Sequence, residues 1–241
     1  MSLPERLRQE AERLGAKGLA GVIDHTVLKP ETTPGMIEKV VRETERYGFA
    51  CAVVPPTYVD YAVSISNARI CTVIGFPFGY APLKAKEAEL EHVLNHGVAE
   101  VDIVMNVALF KARRLRQVEE ELSVLTRLAK ERGTVVKIII ETSLLDDDEI
   151  VEAARLVERV GADYVKTNTG YGKRGATVRD VLIIRGAISE RMGVKAAGGI
   201  RTAVDALLML EAGANRIGTS TGPQIVEDLG RVLLKGRRNV S

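Results

Sequence analysis

Two lysines near the ends of apolar segments are the residues best suited to covalent chemistry. Lys166 stands in the segment ADYVKTNTGYG and Lys195 in the segment VKAAGG, and each precedes a run of small or polar residues. A single lysine at a strand end is usually a solvated surface charge. If the two segments are neighbouring strands, however, they lie about 4.8 Å apart. Burial and mutual repulsion then both favour the neutral amine, which is the form that attacks a carbonyl.

An acidic residue inside a third apolar segment points to the same kind of site. Asp102 in EVDIVMN shares a strand face with Asn106, and a buried carboxylate costs several kcal/mol unless it is paired. Lys137 in VVKIIIET has the parity of Ile139 and Glu141 and is the expected partner of Asp102. The alternative is a buried salt bridge that only fixes the strand register.

Glycine-rich segments follow three of the apolar runs. Unpaired backbone amides and a following helix N-terminus bind phosphate, and hydroxyl side chains strengthen such a site. Ordinary tight turns are the alternative interpretation. The candidate phosphate-binding residues are Gly170, Gly198, Gly199, Gly218, Ser220 and Thr221, with Gly172 and Thr219 beside them.

Histidine and cysteine give little support for a metal. His92 and His96 have the i, i+4 spacing of a chelating pair, but no third ligand accompanies them on an outer helix. His25 alternates with Asp24, so the two side chains take opposite faces of one strand. Cys51 and Cys71 form no CxxC motif, which favours reduced thiols in the cytoplasm. We therefore expect no metal site.

Composition excludes several classes of partner. The chain has 34 Lys and Arg against 32 Asp and Glu, a balance that gives no field for nonspecific nucleic-acid or lipid binding. The N-terminal segment MSLPERLRQEAERLGAKG is charged throughout, so we expect no signal peptide. No run of about 18 apolar residues predicts a membrane span.

The elements that must position these residues alternate between short apolar runs and amphipathic stretches. This pattern, in 241 residues without a linker, predicts a single (β/α)8 barrel over residues 1–241, with an extra N-terminal helix within 1–18 that covers the barrel floor. Residues 3–17 carry Leu3, Leu7, Ala11 and Leu14 near one stripe. The expected strands are 21–28, 49–54, 69–75, 100–106, 134–142, 163–168, 193–198 and 215–219. Helices are expected at 82–95, 117–131, 146–160 and 202–212. Glycines that predict helix ends are Gly48, Gly97, Gly133, Gly161, Gly193 and Gly213.

Five of these segments together resemble deoxyribose-phosphate aldolases over nearly the whole chain: IDHTVLKP, EVDIVMN, KIIIET, VKTNTGYG and KAAGGIRT. The resemblance implies a class I aldolase that cleaves 2-deoxy-D-ribose 5-phosphate to glyceraldehyde 3-phosphate and acetaldehyde without a metal or organic cofactor. It makes Lys166 the Schiff-base lysine, Lys195 the lysine that lowers its pKa, and Asp102 the acid/base. We assign Asp24, Lys137 and Thr167 supporting roles. A phosphorylated sugar as substrate and a homo-oligomer complete the expectation.

The chain departs from the family pattern in several places. Ala52 stands where a cysteine is common, which places doubt on thiol chemistry in the site. Asn168 and Tyr171 replace a frequent serine and lysine, and the tail LLKGRRNVS lacks the tyrosine that some members carry. Other Schiff-base barrel enzymes acting on ketose phosphates, including transaldolases, and a non-catalytic phosphate-binding barrel remain alternatives.

Overall fold

A computed structural model describes residues 2–229 and contains one closed barrel of eight parallel strands in sequential order. All eight strands expected from the sequence are present, so the predicted (β/α)8 architecture is confirmed. The prediction of one domain over 1–241 stays a prediction, since residues 230–241 lie outside the described part. The strands are β1 Ile23–Thr26, β2 Cys51–Val53, β3 Ile70–Ile74, β4 Glu100–Val104, β5 Val135–Ile139, β6 Tyr164–Lys166, β7 Gly193–Ala197 and β8 Arg216–Thr219.

All eight strands are shorter than the segments expected from the sequence, because residues at the segment ends bond outside the ladder. β5 ends at Ile139, and two residues later Glu141 adopts a left-handed backbone with φ 54°. β6 ends at Lys166, and Asn168 beyond it uses its side-chain oxygen to accept from Thr142 and from the backbone of Ser143. Each apolar segment of the sequence therefore covers both the strand and the loop residues that are held beside it.

The helices fill the outer ring. Their bounds are α1 Leu3–Ala20, α2 Pro34–Tyr47, α3 Val59–Ile65, α4 Leu83–Asn95, α5 Val107–Lys111, α6 Leu115–Lys130, α7 Asp147–Arg159, α8 Val178–Ala187 and α9 Ala203–Glu211, and residues 222–229 are also helical. No helix within residues 2–229 is long and apolar enough to cross a membrane.

The extra N-terminal helix α1 packs mainly on α9, and Arg6 pairs with Glu211 at 3.1 Å. Gly15, with φ 61°, kinks it, and Leu19 and Ala20 in its last turn are buried just before β1 begins at the floor. Leu3 of the expected apolar stripe is exposed, because the helix turns only part of that stripe toward the protein. The helix thus lies beside the barrel and meets the floor through its C-terminal end.

Five of the six glycines expected to end helices have positive φ values, as a left-handed helix end requires. The expectation for Gly193 was wrong. Gly193 begins β7, while α8 ends six residues earlier at Ala187. A Cβ on Gly193 would lie 2.2 Å from the ring of Tyr164 on the neighbouring strand. Close packing against that ring explains the glycine.

The inner and outer faces of the barrel strands differ in chemistry. Outward residues such as Val101, Ile103 and Ile138 join the large apolar core between sheet and helices. Inward residues include a small apolar cluster of Cys51, Val53, Cys71 and Val73, against which Leu28 and Phe76 pack from the loops. Much of the rest of the interior is charged. Packing against the helices therefore provides most of the apolar burial, and the interior is free to hold the site.

Replacing Gly79 with alanine should lower the free energy of unfolding by about 2 kcal/mol or more. Gly79 has φ 72°, and a Cβ there would lie 2.2 Å from the Met105 carbonyl oxygen, which is backbone. Urea denaturation measures the change. The control is Gly186→Ala in α8, where a Cβ meets nothing within 4 Å and alanine should stabilise by about 0.5–1 kcal/mol. Equal effects of the two substitutions would contradict this account.

Candidate active site

Lys166 and Lys195 stand side by side where β6 and β7 pair, as register partners. One carboxylate oxygen, Oδ2 of Asp102, lies 2.7 Å from both ammonium nitrogens. All three side chains are almost completely buried, with Lys166 4% exposed. The sequence-predicted catalytic residues are therefore brought together at the interior of the barrel.

The second oxygen of Asp102 accepts from Lys137 at 2.9 Å, which is the pairing expected from the sequence. Lys137 also lies 2.6 Å from Glu100, one step toward the barrel floor. Asp24 on β1 lies 2.6 Å from Lys195 and accepts from Arg216 at 2.8 Å. The lysines, the arginine and the carboxylates thus form one continuous buried network.

Counting charges in this network identifies Lys166 as the surplus cation. Three carboxylates face four basic side chains, all on barrel strands; they are Asp24, Glu100, Asp102, Lys137, Lys166, Lys195 and Arg216. Arg69 reaches Glu100 from the more exposed side at 3.1 Å. Lys166 has a single carboxylate partner, whereas Lys137 has three and Lys195 two. Loss of its proton leaves the buried groups electrically balanced.

The pKa shifts follow this division. Burial lowers the pKa of Lys166, and the Lys195 ammonium lowers it further against the opposing pull of Asp102. Burial also acts on Lys195, but Asp102 and Asp24 outweigh it and raise the pKa of Lys195. Asp102 stays ionised, because its lysines overcome the burial that would raise its pKa. The burial and repulsion expected from the sequence thus lower the pKa of Lys166, while the carboxylates keep Lys195 charged.

Three interior residues were missed by the sequence reasoning. Glu100 and Arg216 join the network, and Cys71 lies 3.4 Å from Asp102. Glu100 has the same parity as Asp102 in EVDIV, which is a signal that could have identified it. Arg216 and Cys71 carry no comparable signal, because barrel closure brings Arg216 to Asp24 and the β3–β4 register brings Cys71 to Asp102.

Both cysteines point into the barrel beneath the lysine pair. Cys51 donates to Asp24 at 3.1 Å, and burial raises its thiol pKa. The donor atoms of Cys51, Cys71 and Glu100 lie within 4.8 Å of one another. Lys137 already places its ammonium 2.6 Å from Glu100 and 3.5 Å from Cys71. That ammonium already supplies the positive charge that a bound cation would bring to these groups.

The glycine loops after β6 and β7 converge at the barrel mouth. Gly198 and Gly199 have φ of 93° and 77°, and Gly170 has φ 91°. Gly175, which the sequence reasoning did not name, completes this contact: a Cβ there would lie 2.3 Å from the Gly198 carbonyl oxygen. The two loops therefore approach each other backbone to backbone.

The segment after β8 supplies the third part of the mouth. Thr219 and Thr221 share a hydrogen bond at 3.1 Å, Ser220 is exposed, and a helix begins at residue 222. Gly218 does not belong to this segment. It lies inside β8, where a Cβ would be 3.1 Å from Cε of Lys195. The glycine leaves space for the Lys195 side chain, and its expected phosphate contact stays a prediction.

Tyr171 spans the mouth from the β6 loop to the β1 loop. Its hydroxyl donates to the Leu28 carbonyl at 3.0 Å, and the edge of its ring meets Phe76 at 5.5 Å between centroids. This position, where the family often has lysine, thus links three loops. The tail without tyrosine lies outside the described residues.

The remaining candidates have structural surroundings. Thr167 exchanges hydrogen bonds with both backbone groups of Ala197, at 3.1 and 3.0 Å, and so joins β6 to β7 behind the lysines. His25 lies on the opposite face from Asp24, as expected, with Glu43 2.7 Å from its ring nitrogen. His92 and His96 meet edge to face, 4.8 Å apart between ring centroids, at the C-terminal end of α4 on the outer ring.

A surplus lysine buried among fixed charges in a parallel (β/α)8 barrel, beneath converging glycine loops, is an arrangement suited to an aldolase that works through a lysine amine. Comparison with known sequences agrees: the model of the DeoC/LacD family aldolases matches residues 19–227. The chain belongs to this family.

Relatives with assigned activities cover most of the chain. The deoxyribose-phosphate aldolase of Thermoanaerobacter sp. (strain X514) is 45% identical over 87% of this chain and 96% of its own length. Deoxyribose-phosphate aldolase 2 of Staphylococcus aureus (strain MRSA252) is 43% identical over 87% and 96%. The solved Aeropyrum pernix deoxyribose phosphate aldolase, described as a unique tetramer, aligns with a TM-score of 0.89 at 38% identity, covering 96% of this chain and 100% of its own.

The substitution Lys195→Met should raise the pKa of Lys166, because it removes the ammonium that helps to lower that pKa. The pH above which Lys166 forms an imine with acetaldehyde should therefore rise. Cyanoborohydride trapping across a pH series, with peptide masses identifying Lys166, measures the shift. Lys84→Met, at an exposed position on α4, is the control and should leave the profile unchanged. A downward shift in the Lys195 variant would contradict the assigned repulsion.

Proposed function

We propose that this protein reversibly cleaves 2-deoxy-D-ribose 5-phosphate to D-glyceraldehyde 3-phosphate and acetaldehyde through a Schiff base on Lys166. The observation that carries the proposal is the shared Asp102 oxygen, 2.7 Å from both Lys166 and Lys195. Support comes from the family and from relatives bearing the activity at 43–45% identity.

The reaction begins when the neutral amine of Lys166 attacks C1 of the open-chain aldehyde. Protonation and loss of the carbinolamine hydroxyl as water give an iminium ion, which serves as the electron sink. Asp102 holds Lys166 in place before the attack, and Lys195 keeps its positive charge throughout. The fixed charge of Lys195 makes a second ammonium beside it unfavourable, so Lys166 enters the reaction deprotonated.

Carbon–carbon cleavage follows when the C3 hydroxyl loses its proton. The C2–C3 electron pair moves into the iminium, glyceraldehyde 3-phosphate leaves, and an acetaldehyde enamine remains on Lys166. We assign the proton to a relay through Asp102, Lys195 and a water. Protonation of the enamine at C2, and then addition of water, release acetaldehyde and restore the amine.

The phosphate end of the substrate is assigned to the converging loops. Backbone amides near Gly170, Gly198 and Gly199, the hydroxyls of Ser220 and Thr221, and the helix N-terminus at residue 222 would hold it. Anchoring this end orients the carbonyl toward Lys166.

We further propose that the reaction needs no metal or organic cofactor and that the protein works in the cytoplasm as a homo-oligomer. The iminium ion formed on the Lys166 amine would be the electron sink, a role that a cofactor would otherwise fill. Two buried thiols suit a reducing compartment, and the Aeropyrum pernix relative is described as a tetramer.

Lys166→Leu should abolish cleavage of 2-deoxyribose 5-phosphate, because leucine fills the space but offers no amine. The assay couples acetaldehyde release to alcohol dehydrogenase, and circular dichroism checks that the barrel is folded. Borohydride reduction with substrate should give a two-carbon adduct on Lys166 in the wild type and in the control Lys84→Leu, but not in Lys166→Leu. Wild-type turnover of ketose phosphates alone, or the absence of any adduct, would reject the proposed function.

A further inference from the structure

Glu141 is a buried carboxylate at the end of β5 that the proposed reaction does not use. It is 4% exposed, and its φ of 54° makes it one of two non-glycine residues with positive φ in residues 2–229. A left-handed backbone costs a residue with a Cβ on the order of 1–2 kcal/mol, and such strain persists only where the surroundings require it. The contacts of the Glu141 side chain explain why this backbone conformation is kept.

The Glu141 carboxylate holds two loops at once. One oxygen accepts from the backbone N–H of Thr169 at 2.9 Å and from its hydroxyl at 2.6 Å. The other accepts from the Ser143 hydroxyl at 2.6 Å. Glu141 makes no salt bridge within the described part of the chain, so the direct polar contacts of its side chain there are these three hydrogen bonds. Hydrogen bonds to an ionised acceptor are stronger than neutral ones.

Thr169 passes this constraint into the glycine turn at the barrel mouth. Its hydroxyl oxygen accepts from the backbone N–H of Tyr171 at 3.1 Å. Gly172 packs directly on the carboxylate, where a Cβ would lie 2.3 Å from Oε1. The turn from Gly170 to Gly172 is therefore fixed by Glu141 from below. The Tyr171 hydroxyl fixes it to Leu28 from above.

We propose that Glu141 is a positioning residue that presents the β6 turn to the phosphate of the substrate and thereby selects phosphorylated over unphosphorylated sugars. It lies apart from the lysine pair and acts through its contacts with Thr169 and Gly172 of the same turn. The inference rests on the proposed function, because it assumes that this turn meets the phosphate. Its effect is confined to binding of the phosphate end, so the chemistry at Lys166 is separable from it.

Glu141→Gln tests the proposal, because glutamine keeps the size but replaces one acceptor oxygen with a donor. The KM for 2-deoxyribose 5-phosphate should rise about 10-fold, which corresponds to ~1.4 kcal/mol. The kcat should change less than about 2-fold. The kcat/KM for unphosphorylated 2-deoxyribose should also change less than about 2-fold, because that sugar has no phosphate for the turn to bind. Inorganic phosphate should also inhibit the variant more weakly. Equal losses on both sugars would overturn the proposal.

Companion variants separate the hydrogen bonds from strain and from folding. Thr169→Val removes the hydroxyl and should reproduce the KM effect, while Thr169→Ser keeps it and should restore the wild-type value. Glu141→Gly relieves the backbone strain yet loses the carboxylate, so its KM should also rise. Glu91→Gln, an exposed glutamate on α4, is the matched control. If Glu141→Gln does not fold, Thr169→Val decides: an unchanged KM there overturns the proposal. If the wild type cleaves neither sugar, the proposed function itself fails.

Discussion

A single buried carboxylate, Asp102, organises this barrel. One oxygen lies 2.7 Å from Lys166 and from Lys195, and the other accepts from Lys137. Three ammonium groups could not remain together in the interior without it, since unpaired buried charges cost several kcal/mol each. Asp24 and Glu100 pair with Lys137 or Lys195 but not with Lys166. The ammonium form of Lys166 is therefore the least stabilised of the three. The unequal distribution of carboxylate partners among three similar side chains thus sets Lys166, the proposed nucleophile, apart from the other two lysines.

The same network explains why the barrel has two separate chemical layers. Charged residues fill much of the interior, while the contact between sheet and helices is apolar and continuous. Hydrophobic burial scales with the area removed from water, so the outer layer supplies the stability that a charged interior cannot. The loops at the mouth rest on this frame. Their glycines permit close backbone approach, and Glu141 holds one of them against its neighbours.

Strand segments and their order could be read from the sequence because buried parallel strands are apolar throughout. The pairing of Asp102 with Lys137 could be predicted because each is a charged residue inside an otherwise apolar strand. Other features depend on contacts that no local pattern encodes. The sequence groups Gly218 with the polar turn that follows it, yet Gly218 lies within β8 and leaves room for Lys195. Gly193 has the form of a helix end but packs on Tyr164. The unequal pKa shifts of two similar lysines require the full set of neighbours, including Arg216 from the last strand.

The ion pair between Asp24 and Arg216 joins positions 192 residues apart, at the seam where β1 meets β8. Contacts of such separation form only after the intervening chain has folded, because loop closure must come first. Asp24 in turn holds Lys195. The surroundings proposed to activate Lys166 are therefore complete only once the ring has closed, because until then Asp24 on β1 does not lie beside Lys195 on β7.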